Sequence, residues 1–156
     1  MSVTSLGLNK EKTVNLVSEL NILLANFQVY YQNVRGLHWN IKGKNFFELH
    51  VKFEEFYTDA QEKVDLIAER ILTLQGNPLH TFDDYMKVSR VSVGKDISKD
   101  VEAVNLVVDS LSELLKIERS ILDLSDDAND EGTNSMMSDF IAEQEKTLWM
   151  MNAWLG

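Results

Sequence analysis

The chain of 156 residues is 44% hydrophobic and 26% charged, which is typical of one soluble globular domain covering residues 1–156. Because it contains no cysteine, it can form neither a disulfide scaffold nor a thiolate metal site. No apolar stretch approaches the ~20 residues that a membrane span requires, and the N-terminus lacks the basic-then-apolar order of a signal peptide. We therefore expect a cytoplasmic protein with no membrane partner.

The formal charge of −10 is distributed unevenly along the chain. Residues 96–145 carry fourteen acidic and three basic residues, a balance of −11, whereas the rest carries eleven acids and twelve bases, or +1. An acidic chain is a poor binder of polyanions such as nucleic acids. The charge therefore favours cations as ligands.

Hydrophobic residues that recur at steps of three and four predict four long amphipathic helices. They cover residues 9–37, 46–75, 97–124 and 133–155. Four helices of this length, with one connector of intermediate length, predict an all-α fold built as a four-helix bundle.

Polar and turn-forming residues separate these helices. Residues 1–8 form a short N-terminal tail, and the connector over residues 76–95 begins with Gly76-Asn77-Pro78, which ends the second helix. Within the connector, TFDDYMKV predicts a short extra helix between the second and third long helices. VSRVSV has a strand-like pattern but is too short and isolated to form a sheet.

The second predicted helix carries four residues of metal-ligating type, His50, Glu54, Asp65 and Glu69. At ~100° per residue they lie at roughly 0°, 40°, 60° and 100° around the axis, and His38 lies just before this helix. Imidazole and carboxylate together suit divalent iron, zinc or manganese. A row of carboxylates is also typical of a solvated helix face, so the pattern alone leaves both interpretations open.

The distance along the helix restricts how these residues can share an ion. His50 and Asp65 are fifteen residues apart, or about 22 Å at 1.5 Å per residue, so one ion cannot contact both within one chain. If two copies pack antiparallel about a two-fold axis near residues 59–60, the 50/54 pair of one chain faces the 65/69 pair of the other. The spacing therefore permits two equivalent metal sites between the subunits of an isologous dimer.

The usual di-iron carboxylate bundle is a different design, with a Glu-x-x-His sequence on two of its helices. Here the residues three positions before His38, His50 and His80 are arginine, phenylalanine and asparagine. The sequence therefore does not predict that design, and His80 has no neighbour at ligand spacing.

Two histidines twelve residues apart, with acids 4, 15 and 19 residues after the second, form a specific pattern within LHWNIKGKNFFELHVKFEEFY and DLIAERILTLQGNP. With the C-terminal WMMNAWLG, these segments resemble the Dps family, the mini-ferritins named for DNA protection in starved bacteria. The resemblance covers residues 10–156. It implies a ferritin-like four-helix subunit in a hollow shell of twelve chains, with ferroxidase centres at two-fold dimer interfaces.

The resemblance also implies the site residues and the chemistry. His38, His50 and Glu54 match ligands given by one subunit, Asp65 and Glu69 match those given by its partner, and Trp39 matches a tryptophan beside the centre. Where this chain has Glu54 the family usually has aspartate, one methylene shorter. Each centre would hold iron, as two ions or in mixed occupancy, with zinc as a substitute. The implied function is oxidation of Fe(II), preferably by hydrogen peroxide, and ferric storage that protects the cell.

Two alternatives to a ferroxidase remain open at this point. One is a non-catalytic protein that coats DNA and retains a degenerate metal site, and the other is a plain helical oligomer with such a site. DNA-binding members usually use a lysine-rich tail, whereas residues 1–9 contain no lysine and the chain ends at Gly156. Because phosphate contacts need cations on the protein, we expect no DNA binding.

The acidic segment DLSDDANDEG, residues 123–132, separates the third and fourth long helices. Its acids suit a solvated loop and a helix start. By analogy with ferritin-like shells, they equally suit a pore on a three-fold axis that admits cations. We select Asp126 and Asp130 as the candidate pore residues.

Overall fold

The computed structural model describes residues 2–156 and contains a short helix and four long ones. These are α1 (Lys10–Asn40), α2 (Phe46–Thr73), α3 (Phe82–Val88), α4 (Asp100–Asp127) and α5 (Glu131–Leu155). α1 packs along α2 and α4, α4 packs along α5, and α3 lies against α1. The predicted all-α four-helix bundle with an extra helix in the connector is confirmed. Across residues 2–156 no helix is both long and apolar enough to span a membrane.

The core is built from the apolar stripes of the four long helices. It includes Leu16, Leu20, Leu23 and Phe27 of α1, Phe53, Ile67 and Ile71 of α2, Val104, Leu111 and Leu114 of α4, and Met137 and Phe140 of α5. Burying each such side chain contributes about 1.5–3 kcal/mol. Because one face of α2 enters this core, the face that carries Glu54, Asp65 and Glu69 is left exposed.

The helix ends differ from the predicted ones by up to three residues. α1 continues to Asn40, so His38 lies in its last turn and not in the linker before α2. α4 begins at Asp100 and continues into the acidic segment as far as Asp127. There Asn129 adopts a left-handed conformation (φ 55°), and the Asp130 N–H donates to the Ser125 carbonyl at 2.8 Å. This hydrogen-bond pattern ends the helix.

The strand-like segment VSRVSV forms no sheet because α1 supplies its hydrogen-bond partners. The Asn26 side-chain oxygen accepts from the Arg90 and Val91 backbone N–H groups at 2.7 and 2.9 Å. Two helical turns further along α1, Asn33 donates to the Ser92 carbonyl at 2.7 Å and accepts from the Gly94 N–H at 2.9 Å. Two amide side chains thus fix the end of the connector on α1.

A carboxyl group lies inside the bundle. Glu118 of α4 is fully buried, and its Oε2 accepts from the Gln144 amide at 2.6 Å. The nearby Lys63 ammonium is already bound by Asp59 and Glu143, at 2.7 and 2.8 Å. Burial therefore raises the pKa of Glu118 to about 8, against the opposing effects of the Gln144 hydrogen bond and the Lys63 and Arg119 charges.

We expect the stability of the fold to decrease as pH rises because of Glu118. The pKa of Glu118 is about 8 in the folded chain, whereas the ordinary value for a glutamate, taken for the unfolded chain, is 4.5. Between these two values the native state holds a proton that the unfolded chain releases. This contribution is complete below pH 4.5 and is lost as pH rises through about 8. Urea unfolding between these limits should show the decline, and Glu118→Gln should flatten it.

Asp109→Asn is the matched control, because Asp109 is exposed on the same helix. It should leave the pH dependence of unfolding unchanged. If the free energy of unfolding of Glu118→Gln depended on pH as steeply as that of the parent, a group other than Glu118 would have to take up the proton on folding.

Candidate metal centre

The turn between α1 and α2 brings two histidines together. His38 lies in the last turn of α1, and His50 lies in the second turn of α2. The turn itself is fixed by the buried side chain of Ile41 and by the Lys42 N–H, which donates to the Ser98 carbonyl at 2.9 Å. Gly43 takes a positive φ of 112° that other residues rarely adopt.

The two imidazole rings are held by reciprocal hydrogen bonds to the backbone. His38 Nδ1 lies 2.6 Å from the His50 carbonyl oxygen, and His50 Nδ1 lies 2.7 Å from the His38 carbonyl oxygen. The rings stack with centroids 3.8 Å apart and planes 10° apart. Because a carbonyl oxygen only accepts, each Nδ1 must carry the hydrogen and donate. A neutral imidazole has only one N–H, so in that form each Nε2 has its lone pair free for a metal ion.

Glu54 brings a carboxylate to the same place. Its Oε1 lies 4.0 Å from His38 Nε2 and 3.4 Å from the Tyr57 hydroxyl, which donates to it. Partial burial, with the Glu54 charge as a second cause, raises the pKa of Tyr57 and keeps it a donor. The Tyr57 ring also meets His38 edge to face, with centroids 5.4 Å apart. Two imidazoles and one carboxylate thus form the first donor group.

Asp65 and Glu69 form a second donor group, at the other end of α2. α2 is unbroken from Phe46 to Thr73, so Asp65 lies about 22 Å along the axis from His50. Both carboxylates are exposed. Within residues 2–156 no three side chains of histidine, aspartate or glutamate come close enough to hold one ion. The five predicted ligands are therefore divided between two separate places on one face of a single helix.

Comparison with known proteins identifies the family. A model of the ferritin-like domain matches residues 17–156. A DNA protection during starvation protein from Porphyromonas gingivalis is 40% identical over 148 residues, covering 95% of this chain and 93% of that protein. The chain belongs to the Dps family.

Solved Dps structures agree in fold over almost the whole chain. The crystal structure of a Dps protein from Vibrio cholerae O1, described as a member of a superfamily of ferritin-like diiron-carboxylate proteins, superposes with a TM-score of 0.97. It is 49% identical and covers 100% of this chain and 98% of that one. Dps from Listeria innocua soaked with zinc gives a TM-score of 0.87 at 30% identity, covering 90% and 96%.

The structure assigns the two candidate pore residues of this Dps chain to different environments. Asp126 is exposed near the end of α4. Asp130, in contrast, is 3% exposed and caps α5, accepting from the Thr133 N–H at 3.1 Å. Its carboxylate also accepts from the Arg70 guanidinium at 2.6 Å. Asp130 is thus a structural cap, and its selection as a pore residue is not supported by its position in the subunit.

Sequence reasoning did not find Tyr57 as a site residue. Its position on the apolar stripe of α2 predicts a core side chain, whereas in the structure it is half-buried between Glu54, His38 and Tyr31. Its three-residue spacing from Glu54 was the available signal, since such residues are neighbours on a helix. Trp39, next to His38, is 58% exposed, with the Arg35 guanidinium 4.9 Å above its ring.

We predict that Asp130 and Asp126 differ in their effect on stability. Asp130→Ala should lower the free energy of unfolding by about 2–4 kcal/mol, because it removes a helix cap and leaves Arg70 without its carboxylate. Asp126→Ala, on the exposed surface, should change it by no more than about 0.5 kcal/mol. Urea unfolding of both variants checks this, and equal losses would contradict the assignment.

Proposed function

We propose that this chain is the subunit of a ferroxidase and iron store that oxidises Fe(II), preferably with hydrogen peroxide, at centres shared by two subunits. The observation that carries the proposal is the division of the ligands on α2 into two incomplete donor groups. Membership of the Dps family supports the further step to a hollow shell of twelve chains that holds ferric mineral and limits peroxide damage.

In the proposed centre, one subunit gives His38, His50 and Glu54, and Asp65 and Glu69 of the partner subunit complete the ligand set. The free Nε2 atoms bind Fe(II) as neutral ligands, while the carboxylates offset its charge. Oxygen and nitrogen donors of this kind suit Fe(II), and they also suit zinc as a substitute. Tyr57 orients Glu54 through its hydroxyl group, which compensates for the extra methylene of glutamate over the usual aspartate.

The proposed chemistry depends on delivering two electrons to peroxide at one centre. Reduction of one peroxide to two hydroxide ions consumes two electrons, and two Fe(II) ions held as substrate at one centre supply both. Delivery of the electrons together avoids the one-electron cleavage that releases hydroxyl radical. The chain contributes two imidazoles whose orientation is already fixed by hydrogen bonds to the backbone, so that little reorganisation of these ligands accompanies the oxidation of iron.

His50→Ala and Asp65→Ala should each slow the initial oxidation of Fe(II) by about tenfold or more, because each removes a ligand from every centre. Stopped-flow absorbance after mixing with peroxide measures the rate, and light scattering checks that assembly is retained. Glu54→Asp should be tolerated. His80→Ala is the matched control, since His80 is an exposed histidine away from both donor groups. A His38/His50 double variant with the parental rate would disprove the assignment.

We further propose that exposed acids near the end of α4 guide iron into the shell. Asp127 is paired with Lys12 at 3.1 Å and Asp130 is buried. Of the two residues selected from the sequence, Asp126 is exposed and is the one we retain. Three copies around a three-fold axis would concentrate negative charge in a narrow opening, where the field is screened less than on an open surface.

Asp126→Asn should therefore slow iron uptake while leaving Fe(II) binding at the centre unchanged. Because screening acts over about 8 Å at physiological salt, the difference from the parent should shrink as salt rises. Uptake is followed by absorbance of the ferric product at two ionic strengths. Asp83→Asn, an exposed acid on α3, controls for the loss of a charge. A parental uptake rate at low salt would mean that iron enters elsewhere.

The alternative of a DNA-coating protein is disfavoured by the net charge of −10 per chain. A gel-shift at low salt, with and without magnesium, decides between the two functions. Retarded DNA in the absence of magnesium would require a revision of this conclusion.

A further inference from the structure

Two side chains inside the bundle, one on α4 and one on α5, each have an oxygen atom without a partner. Glu118 is fully buried and Gln144 is 5% exposed, and the Gln144 amide donates to Glu118 Oε2 at 2.6 Å. Within residues 2–156, three buried side-chain polar atoms lack a hydrogen-bond partner, and two of them are Glu118 Oε1 and Gln144 Oε1. Unpaired polar atoms are costly in a protein interior, so two of them in one contacting pair require an explanation.

A single proton satisfies both oxygen atoms. A protonated carboxyl group and a primary amide are complementary, because each can offer the other one donor and one acceptor. The Gln144 amide already donates to one carboxyl oxygen of Glu118, and a proton on the other oxygen, Oε1, can be donated to Gln144 Oε1. The two groups then form a closed ring of two hydrogen bonds between α4 and α5. An ionised carboxylate cannot make the second bond, because it only accepts.

We propose that Glu118 and Gln144 are a proton-binding site inside the subunit, in which they share one proton as a closed acid–amide pair, and that loss of this proton moves the Lys63 ammonium from its surface carboxylates to Glu118. The predicted metal ligands lie on α1 and α2, whereas the proton-binding site lies on α4 and α5. The inference therefore goes beyond the proposed ferroxidase and does not depend on it.

Lys63 of α2 is the cation that can replace the proton. Its side chain is 5% exposed, and its ammonium is held by Asp59 at 2.7 Å and by Glu143 at 2.8 Å. These two carboxylates are 53% and 61% exposed, so water can solvate them when the ammonium leaves. Glu118 is shielded from water, and a buried anion without a cation is far more costly than an exposed one. The Lys63 charge accordingly acts to lower the pKa of Glu118.

The other charged and titratable groups around the cluster are occupied or neutral. Arg119 also acts to lower the pKa of Glu118, but its side chain is half-exposed and is paired with Glu145 of α5 at 2.7 Å. On α1 the titratable side chain is Tyr30, whose pKa is raised by burial and by the Asp59 charge, so that it stays neutral. Lys63 is therefore the group that responds to ionisation of the buried carboxyl.

The transfer of Lys63 changes which helices are joined by an ion pair. With Glu118 protonated, Lys63 joins α2 to α5 through Glu143, whereas with Glu118 ionised it joins α2 to α4. Asp59 and Glu143 are then left without their cation on the wall of a cavity of about 280 Å³, which they line together with Gln144. The proton on one buried carboxyl group thus controls the charge of this cavity.

Paired substitutions test the closed ring by urea unfolding of the full chain at mildly acidic pH. Glu118→Gln should keep the parental urea midpoint, because the new amide donates to Gln144 Oε1 and still accepts from Gln144. Glu118→Met, an unbranched apolar side chain, should lower the midpoint because it leaves the Gln144 amide unpaired. Glu118→Met/Gln144→Met should recover most of this loss, since both partners are then apolar. A midpoint for Glu118→Gln as low as that for Glu118→Met would overturn the closed pair.

Infrared spectra provide a measurement that does not depend on stability, through the carbonyl stretch of a protonated carboxyl group. The assembled parent at neutral pH should show a band that is missing from Glu118→Gln and that disappears as pH rises through about 8. In Gln144→Met the band should move to higher frequency, because the carbonyl no longer accepts a hydrogen bond. The lack of such a band at neutral pH, or an unchanged frequency in Gln144→Met, would reject the proton-binding site.

The pH at which this band disappears tests the transfer of Lys63. Lys63→Met should raise that pH by about one unit or more, because ionised Glu118 then lacks its cation. Asp59→Asn should lower it, because Lys63 is then held by one surface carboxylate fewer. Lys52→Met is the matched control: Lys52 lines the same cavity but is paired with Glu55 at 2.8 Å, so its loss should have no effect. Equal shifts for Lys63→Met and Lys52→Met, or no shift for either, would overturn the transfer.

Discussion

The candidate metal centre depends on the pair of hydrogen bonds between His38 and His50. Each ring donates to the backbone carbonyl oxygen of the other residue. A ring that rotated would therefore lose its own hydrogen bond to that carbonyl. A single hydrogen bond of this kind contributes only about 0.5–1.5 kcal/mol to stability. Its larger effect is on chemistry, because it sets the tautomer and fixes the orientation of both rings. A site built this way is organised before any ion arrives.

That arrangement constrains the two long helices around it. α1 must still be helical at His38, and α2 must begin within a few residues, so that each backbone carbonyl meets the opposite ring. The connection of Lys42 to Ser98 and the hydrogen bond of Asn45 to Asp100 at 2.7 Å anchor the intervening turn to the start of α4. Contacts between this turn and the start of α4 therefore help to set the geometry of the two histidines.

The sequence was sufficient for some of these features and insufficient for others. Periodicity predicted the long helices within about three residues, because the apolar stripe that fills the core is a local pattern. The end of α4 and the start of α5 depended on Asn129 in a left-handed conformation and on a cap at Asp130. The composition of an acidic segment does not show which of its residues take these two positions. Asp126 and Asp130 look alike in sequence, and only the approach of Arg70 from α2 separates a buried cap from a surface acid.

The same limit applied to the predicted metal ligands. The type and spacing of the four on α2 could be read from that helix alone, since a rigid helix converts residue numbers into distances. The reciprocal histidine bonds and the contact of Tyr57 with Glu54 could not, because they depend on how two helices meet. The division of the predicted ligands into two groups followed from spacing, whereas the tautomer of the imidazoles required the backbone carbonyls.

The distribution of paired and unpaired charge explains why the centre faces outward. Inside the bundle, Lys63 binds Asp59 and Glu143, and Arg70 binds Asp130, so the buried charges are offset within the chain. On the outer face of α2, no ion pair in the described part of the chain involves Asp65 or Glu69. These carboxylates lie in water in the isolated subunit at little cost, but bringing a second acidic face against them requires positive charge between the two. In the proposed centre, a divalent cation between the two faces would supply that charge.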